Sequence, residues 1–452
     1  MEQILGPERP GGQGLDPQQE ESGNRAILAL LHDPVVCDQV DLVITHRDDA
    51  YEVWARRGMV RFQRLWREGS VDFRVIEQIG DNPIADQRHT TIATAAEELR
   101  AAAASGHPTE DVNRAFIEPA ALSYPHAYER IAQLFDSPYA PDLVISPKCY
   151  AFGLQPGQHG ALDVVQSRAP LAFAGPGIRP GAYDTAPRHV DIAPTVCRLL
   201  GFPKIDGKDA SGRTASERGV APDVYLQRQD GRVLDARGMA QVMVLFDDPA
   251  HPPPVLVAHE FTVTDGAGHE YGPHGEGLRT AVAETDRRLG QVLDMLEEKD
   301  LLETTLFVFT SDHGMAAQDV SLKANPARHP ERIGMQTITG EPMIWLRDLA
   351  VVVEPAPDGR TARVTVLAND ADESGEQPPL EGAQVLVHAH ADKLVAKLTT
   401  NAAGIAGFAT PVDVRPVDIV LSVQHPHYNP RRVRLDGSNL VIDLRRELYG
   451  RR

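Results

Sequence analysis

Thr264-Asp265-Gly266-Ala267-Gly268-His269 stands just beyond the apolar run from Val255-Leu256-Val257 to Phe261, and Thr310-Ser311-Asp312-His313-Gly314-Met315 just beyond Leu306-Phe307-Val308-Phe309. Between them Leu278, Val282, Leu289, Val292, Leu293 and Leu296 mark one face of a long helix. Strand, helix, strand reads as a βαβ unit, whose strands run parallel through a right-handed crossover. The carboxyl ends of parallel strands line one sheet edge, and α/β proteins collect their ligands there. The spacing therefore predicts that both polar motifs reach the same rim.

The residue types at that rim carry chemistry. Asp265, His269, Asp312 and His313 supply two carboxylates and two imidazoles, a mixed oxygen and nitrogen set suited to zinc or manganese. Gly266, Gly268 and Gly314 are expected to let the backbone turn sharply and to leave room for a metal and its ligand. The competing reading makes the aspartates caps or turn residues and the histidines incidental surface groups. Two such motifs at adjacent strand ends weigh against it.

Working outward, residues 1–24 hold turn formers and charge without periodicity and read as a disordered tail. Val40-Asp41-Leu42-Val43-Ile44 and Tyr51-Glu52-Val53-Trp54 alternate as strands do around a polar turn. Thr91 to Ala104 and Tyr128 to Phe135 fit helices packed on a sheet. Leu143-Val144-Ile145 is a strand leading into a Gly- and Pro-rich loop with His159-Gly160, and Pro170 to Ala174 is another strand. A helix follows from Ile192 to Leu200, with Pro194 in its first turn and Gly201 as its stop. Residues 204–240 read as a linker or crossover. From Val351 onward the texture changes to short alternating strands at 363–366, 385–387, 419–421 and 440–442. The expected architecture is α/β: a mainly parallel sheet flanked by helices, built from 25–203 and 241–350, plus a C-terminal all-β sandwich over 351–452.

Taken together these residues resemble the alkaline phosphatase superfamily, nearest its type I phosphodiesterase and nucleotide pyrophosphatase branch. Asp265-Gly266-Ala267-Gly268-His269-Glu270-Tyr271-Gly272-Pro273 and Thr310 to Met315 look like that family's metal motifs. Gln158-His159-Gly160 to Asp163, Ser167-Arg168 to Leu171, Gly175 to Ile178 and Val190-Asp191-Ile192-Ala193-Pro194-Thr195 to Gly201 resemble its closing part. The resemblance spans residues 25–350 and implies an alkaline-phosphatase-like sheet. It also implies that His159 is a metal ligand, forming one site with Asp265 and His269, while Asp312 and His313 form a second. Two divalent ions, zinc or manganese, would then clamp a phosphoryl group.

The pattern departs from the family twice. His159 precedes Asp265 and Asp312, whereas the family's His-Gly segment comes last, so the order is permuted or truncated. The family's opening strand, with its metal-binding Asp and nucleophile-bearing helix, has no match upstream of Asp265. Asp206, Asp209, Ser211 and Thr214 match the polar tail after the closing helix instead. No nucleophile is named, and the second site lacks its third protein ligand. Water attack then replaces the covalent route.

Composition sets outer bounds. Lys plus Arg total 45 against 64 Asp plus Glu, a net charge of −19 over 452 residues, which argues against nucleic acid as the main partner. A small phosphorylated substrate fits better, because bound divalent cations reverse the local field. Cys37, Cys149 and Cys197 form no CxxC pair, so no disulfide scaffold or thiolate zinc site is expected. No apolar run is long enough for a membrane helix. The N-terminus does not read as a signal peptide, giving a cytoplasmic expectation with export as the alternative.

Other candidates are weaker. His388 and His390 lie at period two, and His425 and His427 flank Pro426; all four are expected to be exposed strand residues. His274 and His329 are candidates to line the pocket, and Arg168 to hold a phosphate oxygen. Thr399 to Thr410 resembles transthyretin-like or immunoglobulin-like accessory modules. The functional expectation is a metal-dependent phosphoric ester hydrolase of phosphodiesterase type. The alternative is a catalytically inactive metal-binding relic or truncated product whose β-sandwich module does the binding. The superfamily's sulfatase and phosphomutase branches rank low, lacking the Cys-x-Pro-x-Arg signature and the N-terminal serine segment.

Overall fold

The computed structural model describes residues 19–449 apart from 68–69, 89–122, 138, 149–150, 182–186, 201–230, 248, 250–251, 255, 323, 341, 359, 371–375, 391–392 and 443. The expected helix at 91–104 and most of the 204–240 linker lie outside the described residues. The chain packs as two compact units, one from the described parts of 1–88, 123–152 and 319–452, the other from those of 153–318.

The first unit begins with helix α1 (Glu20–His32), so residues 20–24 are helix rather than tail. Glu20 and Glu21 sit in its first turn and His32 in its last, the arrangement its dipole favours. Strands β1 (Val40–Arg47) and β2 (Ala50–Ala55) form a hairpin across Asp48 and Asp49, both at left-handed φ of 50° and 59°. Two consecutive left-handed residues match the twist of the strands they join. β3 (Gly58–Arg67) and β4 (Ser70–Gly80) extend the meander, helix α2 (Ala127–Leu134) follows, and β5 (Leu143–Pro147) pairs back onto β1.

With Thr337–Gly340 and Met343–Leu346 these strands make a seven-stranded sheet in the order Thr337–Gly340, Met343–Leu346, β5, β1, β2, β3, β4. Every ladder in it is antiparallel. The expectation of a mainly parallel sheet is thereby corrected: among the described residues all strand ladders are antiparallel, and parallel pairing is limited to two isolated bridges. Apolar periodicity marks candidate strands but carries no information on the direction of a strand's neighbour.

Ala26, Ile27, Leu30 and Leu31 of α1 pack with Val43, Trp54, Met59 and Ile344 in one core cluster. Ladder pairing also explains why the units divide at 152–153 and 318–319 rather than at the expected 203, 240 and 350. β5 is hydrogen-bonded both to β1 and to Met343–Leu346.

After residue 348 two further antiparallel sheets follow. One orders Leu349–Pro355, Thr361–Ala368 and Ile405–Ala409, the other Lys393–Thr399, Gln384–Ala389, Ile419–His425 and Tyr428–Arg434. Val351, Val364 and Phe408 of the first share one core with Val385, Leu421 and Val433 of the second. Residues 440–442, expected as a strand, lie outside the ladders.

In the second unit the pair β6 (Gly157–Gln158) and β9 (Ala316–Ala317) and the pair β7 (Leu171–Ala174) and β8 (Phe307–Thr310) are both antiparallel. Its helices include α3 (Gly231–Asp247), α4 (Val263–Tyr271) and α5 (Glu276–Glu298). Residues 256–262, expected as the first strand of a βαβ unit, join no ladder, and Asp265 and His269 lie in α4 instead of a loop. The stripe on α5 is only partly core: Leu296 is buried, whereas Val282 is 52% exposed. No helix among the described residues is long and apolar enough to cross a membrane.

Candidate metal centre

Two short ladders bring distant segments together. β7–β8 aligns Leu171–Ala174 with Phe307–Thr310, and β6–β9 sets Gln158 against Ala316. His159 follows β6 directly, and Asp312 and His313 lie between β8 and β9, so the ladders deliver both to one place. Helix α4 supplies Asp265 and His269, which share a face because residues four apart are neighbours on a helix. The α4 N–H groups need acceptors, and Asp235 of α3 provides them. Its carboxylate, 1% exposed, accepts from the backbone N–H of Thr262 at 2.9 Å and of Val263 at 3.3 Å, and from the Thr262 hydroxyl at 3.1 Å. Nothing in the local sequence points to this residue, since it caps a helix other than its own.

The five residues singled out by the sequence meet. His159 Nε2 is 3.6 Å and His269 Nε2 3.5 Å from Asp265 Oδ1, and the two nitrogens are 3.2 Å apart. His313 Nε2 lies 4.0 Å from the same oxygen and 3.2 Å from Asp312 Oδ2. The His313 ring stacks on His159 with centroids 3.6 Å apart. Asp312 is the outermost member, its side chain 74% exposed.

Hydrogen-bond logic fixes what the rings present. His269 Nδ1 is 2.8 Å from the Gly157 carbonyl oxygen, and His313 Nδ1 is 2.9 Å from that of Gly314. A carbonyl only accepts, so each Nδ1 carries a proton, and in the neutral ring each Nε2 offers a lone pair. Burial, and next the neighbouring His313, hold the His159 imidazole below its ordinary pKa, with Asp265 opposing them. The His269 lone pair and the Asp265 carboxylate therefore converge beside His159 Nε2, and the ligand atoms of the three residues all lie within 4.8 Å of one another. A tetrahedral zinc with bonds near 2.0–2.1 Å spaces its ligand atoms about 3.3 Å apart, close to the separations found. Donation of the second ring nitrogen to a backbone carbonyl is the support that metal-binding histidines ordinarily have. The donor set fits a divalent cation.

Gly268 and Gly314 serve packing instead of turning, and Gly266 does neither. None of Gly266, Gly268 and Gly314 has a positive φ, and the first two lie within α4. A Cβ on Gly268 would sit 2.5 Å from Met315 Sδ, and one on Gly314 2.2 Å from the Val165 carbonyl oxygen. Gly157, which the motifs do not single out, is as tightly placed: its Cβ would meet the Gly268 carbonyl oxygen at 2.2 Å.

Asp235→Ala would strip the α4 terminus of its acceptors. The expected loss is about 1 kcal/mol, the usual worth of a helix cap, read as a lowered denaturation midpoint, together with weaker zinc binding because Asp265 sits in the first turn. An unchanged zinc affinity would separate the cap from the centre.

Other sequence candidates fall elsewhere. His329 is buried in the first unit, 3.1 Å from Asp33. His388 lies inside the strand Gln384–Ala389, whereas His390 lies just past it at φ 50°. His425 and His427 have ring centroids 5.6 Å apart, and none of these four joins a metal-competent group among the described residues. Burial, and next Arg279, lower the pKa of His274. His189 was not singled out, yet its Nε2 is 2.7 Å from the Ser311 carbonyl oxygen beside Asp312.

Residues 182–403 match the family described as type I phosphodiesterase / nucleotide pyrophosphatase. That stretch covers 222 of the chain's 452 residues, just under half. It contains Asp265, His269, Asp312 and His313, while His159 lies outside it. Similar curated proteins include ectonucleotide pyrophosphatase/phosphodiesterase family member 7 of Rattus norvegicus, 35% identical over 60 residues, or 13% of this chain and 14% of that protein. Family member 1 of Mus musculus is 28% identical over 97 residues, 22% of this chain and 11% of that protein. The bis(5'-adenosyl)-triphosphatase enpp4 of Xenopus laevis is 36% identical over 69 residues, 15% of each. The matched part of the chain thus spans between 11% and 15% of these relatives' lengths. No solved structure is significantly similar.

Proposed function

We propose that the protein is a metal-dependent hydrolase of phosphoric esters, of the phosphodiesterase/nucleotide pyrophosphatase type, working with two divalent ions, zinc or manganese. The observation that carries this reading is the convergence of one ligand atom each from His159, Asp265 and His269, all within 4.8 Å of one another. Two imidazoles and a carboxylate at this spacing are a donor set suited to zinc or manganese. The names of the relatives supply the substrate class: pyrophosphatases, phosphodiesterases and a dinucleoside triphosphatase all act on phosphoric esters or anhydrides.

On this reading His159, Asp265 and His269 hold the first ion, and Asp312 and His313 contribute to the second. Divalent ions there supply Lewis acidity toward a phosphoryl oxygen and offset the charge of the substrate. The chain's own contribution is orientation. The Gly157 and Gly314 carbonyls fix the tautomers of His269 and His313, and the exposed Asp312 leaves that side of the centre open to a small substrate. The second unit is read as part of an alkaline-phosphatase-like domain, and the two C-terminal sheets as a β-sandwich accessory module that binds or spaces.

Hydrolysis of bis-para-nitrophenyl phosphate with added zinc or manganese tests the proposal. Sustained turnover is expected, abolished by Asp312→Ala and by His313→Ala in protein that keeps its circular dichroism spectrum. Wild-type protein with no turnover above the metal blank would leave the inactive metal-binding reading in its place.

A further inference from the structure

The far edge of the seven-stranded sheet carries a surface unrelated to the metal centre. β4 is the terminal strand, eleven residues long, and contains neither proline nor lysine. Among the described residues no strand pairs with its outer side. Natural edge strands of this length are usually blunted by such residues, because their unpaired N–H and C=O groups template further pairing. Here the surroundings are apolar: Trp66 is 73% exposed, Val71 40% and Val75 43%. Trp66 opposes Val71 and Phe62 opposes Val75 across the β3–β4 ladder. These four side chains and Phe73 therefore share one face, and Phe73 lies beside Tyr128 of α2 on it. The opposite face of the same segment carries Asp72 and Arg74.

We propose that β4 pairs antiparallel with β4 of a second copy of this chain, about a twofold axis at Phe73. Parity restricts the choice of axis. Outward backbone groups come from every second residue of an edge strand, and residues that exchange both hydrogen bonds stand directly opposite each other. A symmetric pairing is therefore centred on a residue and never between two. Centring on Asp72 sets that aspartate against its own copy, and centring on Arg74 does the same for the arginine. Centring on Phe73 sets Asp72 opposite Arg74 twice, Val71 opposite Val75 twice, and Phe73 opposite Phe73. Acid meets base on one face and apolar meets apolar on the other, which is the self-complementarity a twofold interface requires. The bulge at Ile76, where the register shifts between Arg61–Glu77 and Phe62–Val75, ends the compatible segment on that side.

Sedimentation equilibrium of the full chain tests this directly, at about 0.15 M salt, where screening over about 8 Å limits repulsion between the two acidic copies. A dimer is expected at concentrations up to about 100 µM, the range in which a weak interface populates. D72R sets arginine against arginine and R74D sets aspartate against aspartate, so each should raise the dissociation constant at least tenfold. The double variant D72R/R74D restores opposite charges across the axis and should recover the dimer, which also shows that the single variants act through pairing and not through misfolding. A wild-type chain that stays monomeric, or a dimer indifferent to both reversals, overturns the proposal.

Discussion

His159→Ala is expected to remove one divalent ion per chain and to lower phosphodiester turnover by more than about 100-fold, the upper end of what losing a merely orienting partner costs a metal site. The reasoning starts from distance. His159 Nε2 stands 3.2 Å from His269 Nε2 and 3.6 Å from Asp265 Oδ1, so its removal leaves a cation only one imidazole and one carboxylate from that group. His159 lies outside the family-matched stretch and more than a hundred residues before Asp265 in the chain. If the permuted order had separated it from the centre, its loss would change nothing. Metal content and turnover measured on the same preparation check both halves of the expectation, and a variant with full occupancy and wild-type rate refutes the ligand assignment.

Gly157→Ala is the second large effect. An added methyl would lie 2.2 Å from the Gly268 carbonyl oxygen, 2.9 Å from its carbon and 2.7 Å from Met315 Sδ. Only the thioether can move cheaply. The strand must therefore back away from α4, and the Gly157 carbonyl that holds His269 Nδ1 at 2.8 Å goes with it. Overpacking of this kind costs about 1–3 kcal/mol, and losing the bond from His269 Nδ1 to the Gly157 carbonyl about 10–100-fold in metal affinity. Gly266→Ala is the control, because nothing lies within 4 Å of its added methyl. There the better helix propensity of alanine should add about 0.5–1 kcal/mol of stability. Thermal unfolding and zinc titration of the two variants should diverge in opposite directions, and equal behaviour would mean that Gly157 does not position His269.

These two substitutions also mark what could be read from the sequence. The candidate cluster is legible because histidine and aspartate in tight, glycine-spaced motifs have few structural uses at once. The local structure of the first motif was not. Asp265-Gly266-Ala267-Gly268-His269 has the composition of a turn, yet it is helical, held by the remote carboxylate of Asp235 at its start and by Met315 filling the space beside Gly268. Such support comes from residues far away in the chain and leaves no local signature.

The sheet shows the same limit. β1 and β2 are evident from alternation around Asp48-Asp49, but β3 and β4 mix arginine, glutamine and glutamate among their apolar positions, which hides the period. Strand direction is decided by which segments find each other. β5 reaches β1 and Met343–Leu346 across long stretches of chain, and no window of sequence contains that choice.

Elemental analysis decides whether the second unit takes up divalent metal. Protein stripped with chelator, dialysed against zinc or manganese and then against metal-free buffer should retain at least one ion per chain, lost on His269→Ala. Protein that takes up no metal under these conditions, or that binds as much after His269→Ala as before, contradicts the account.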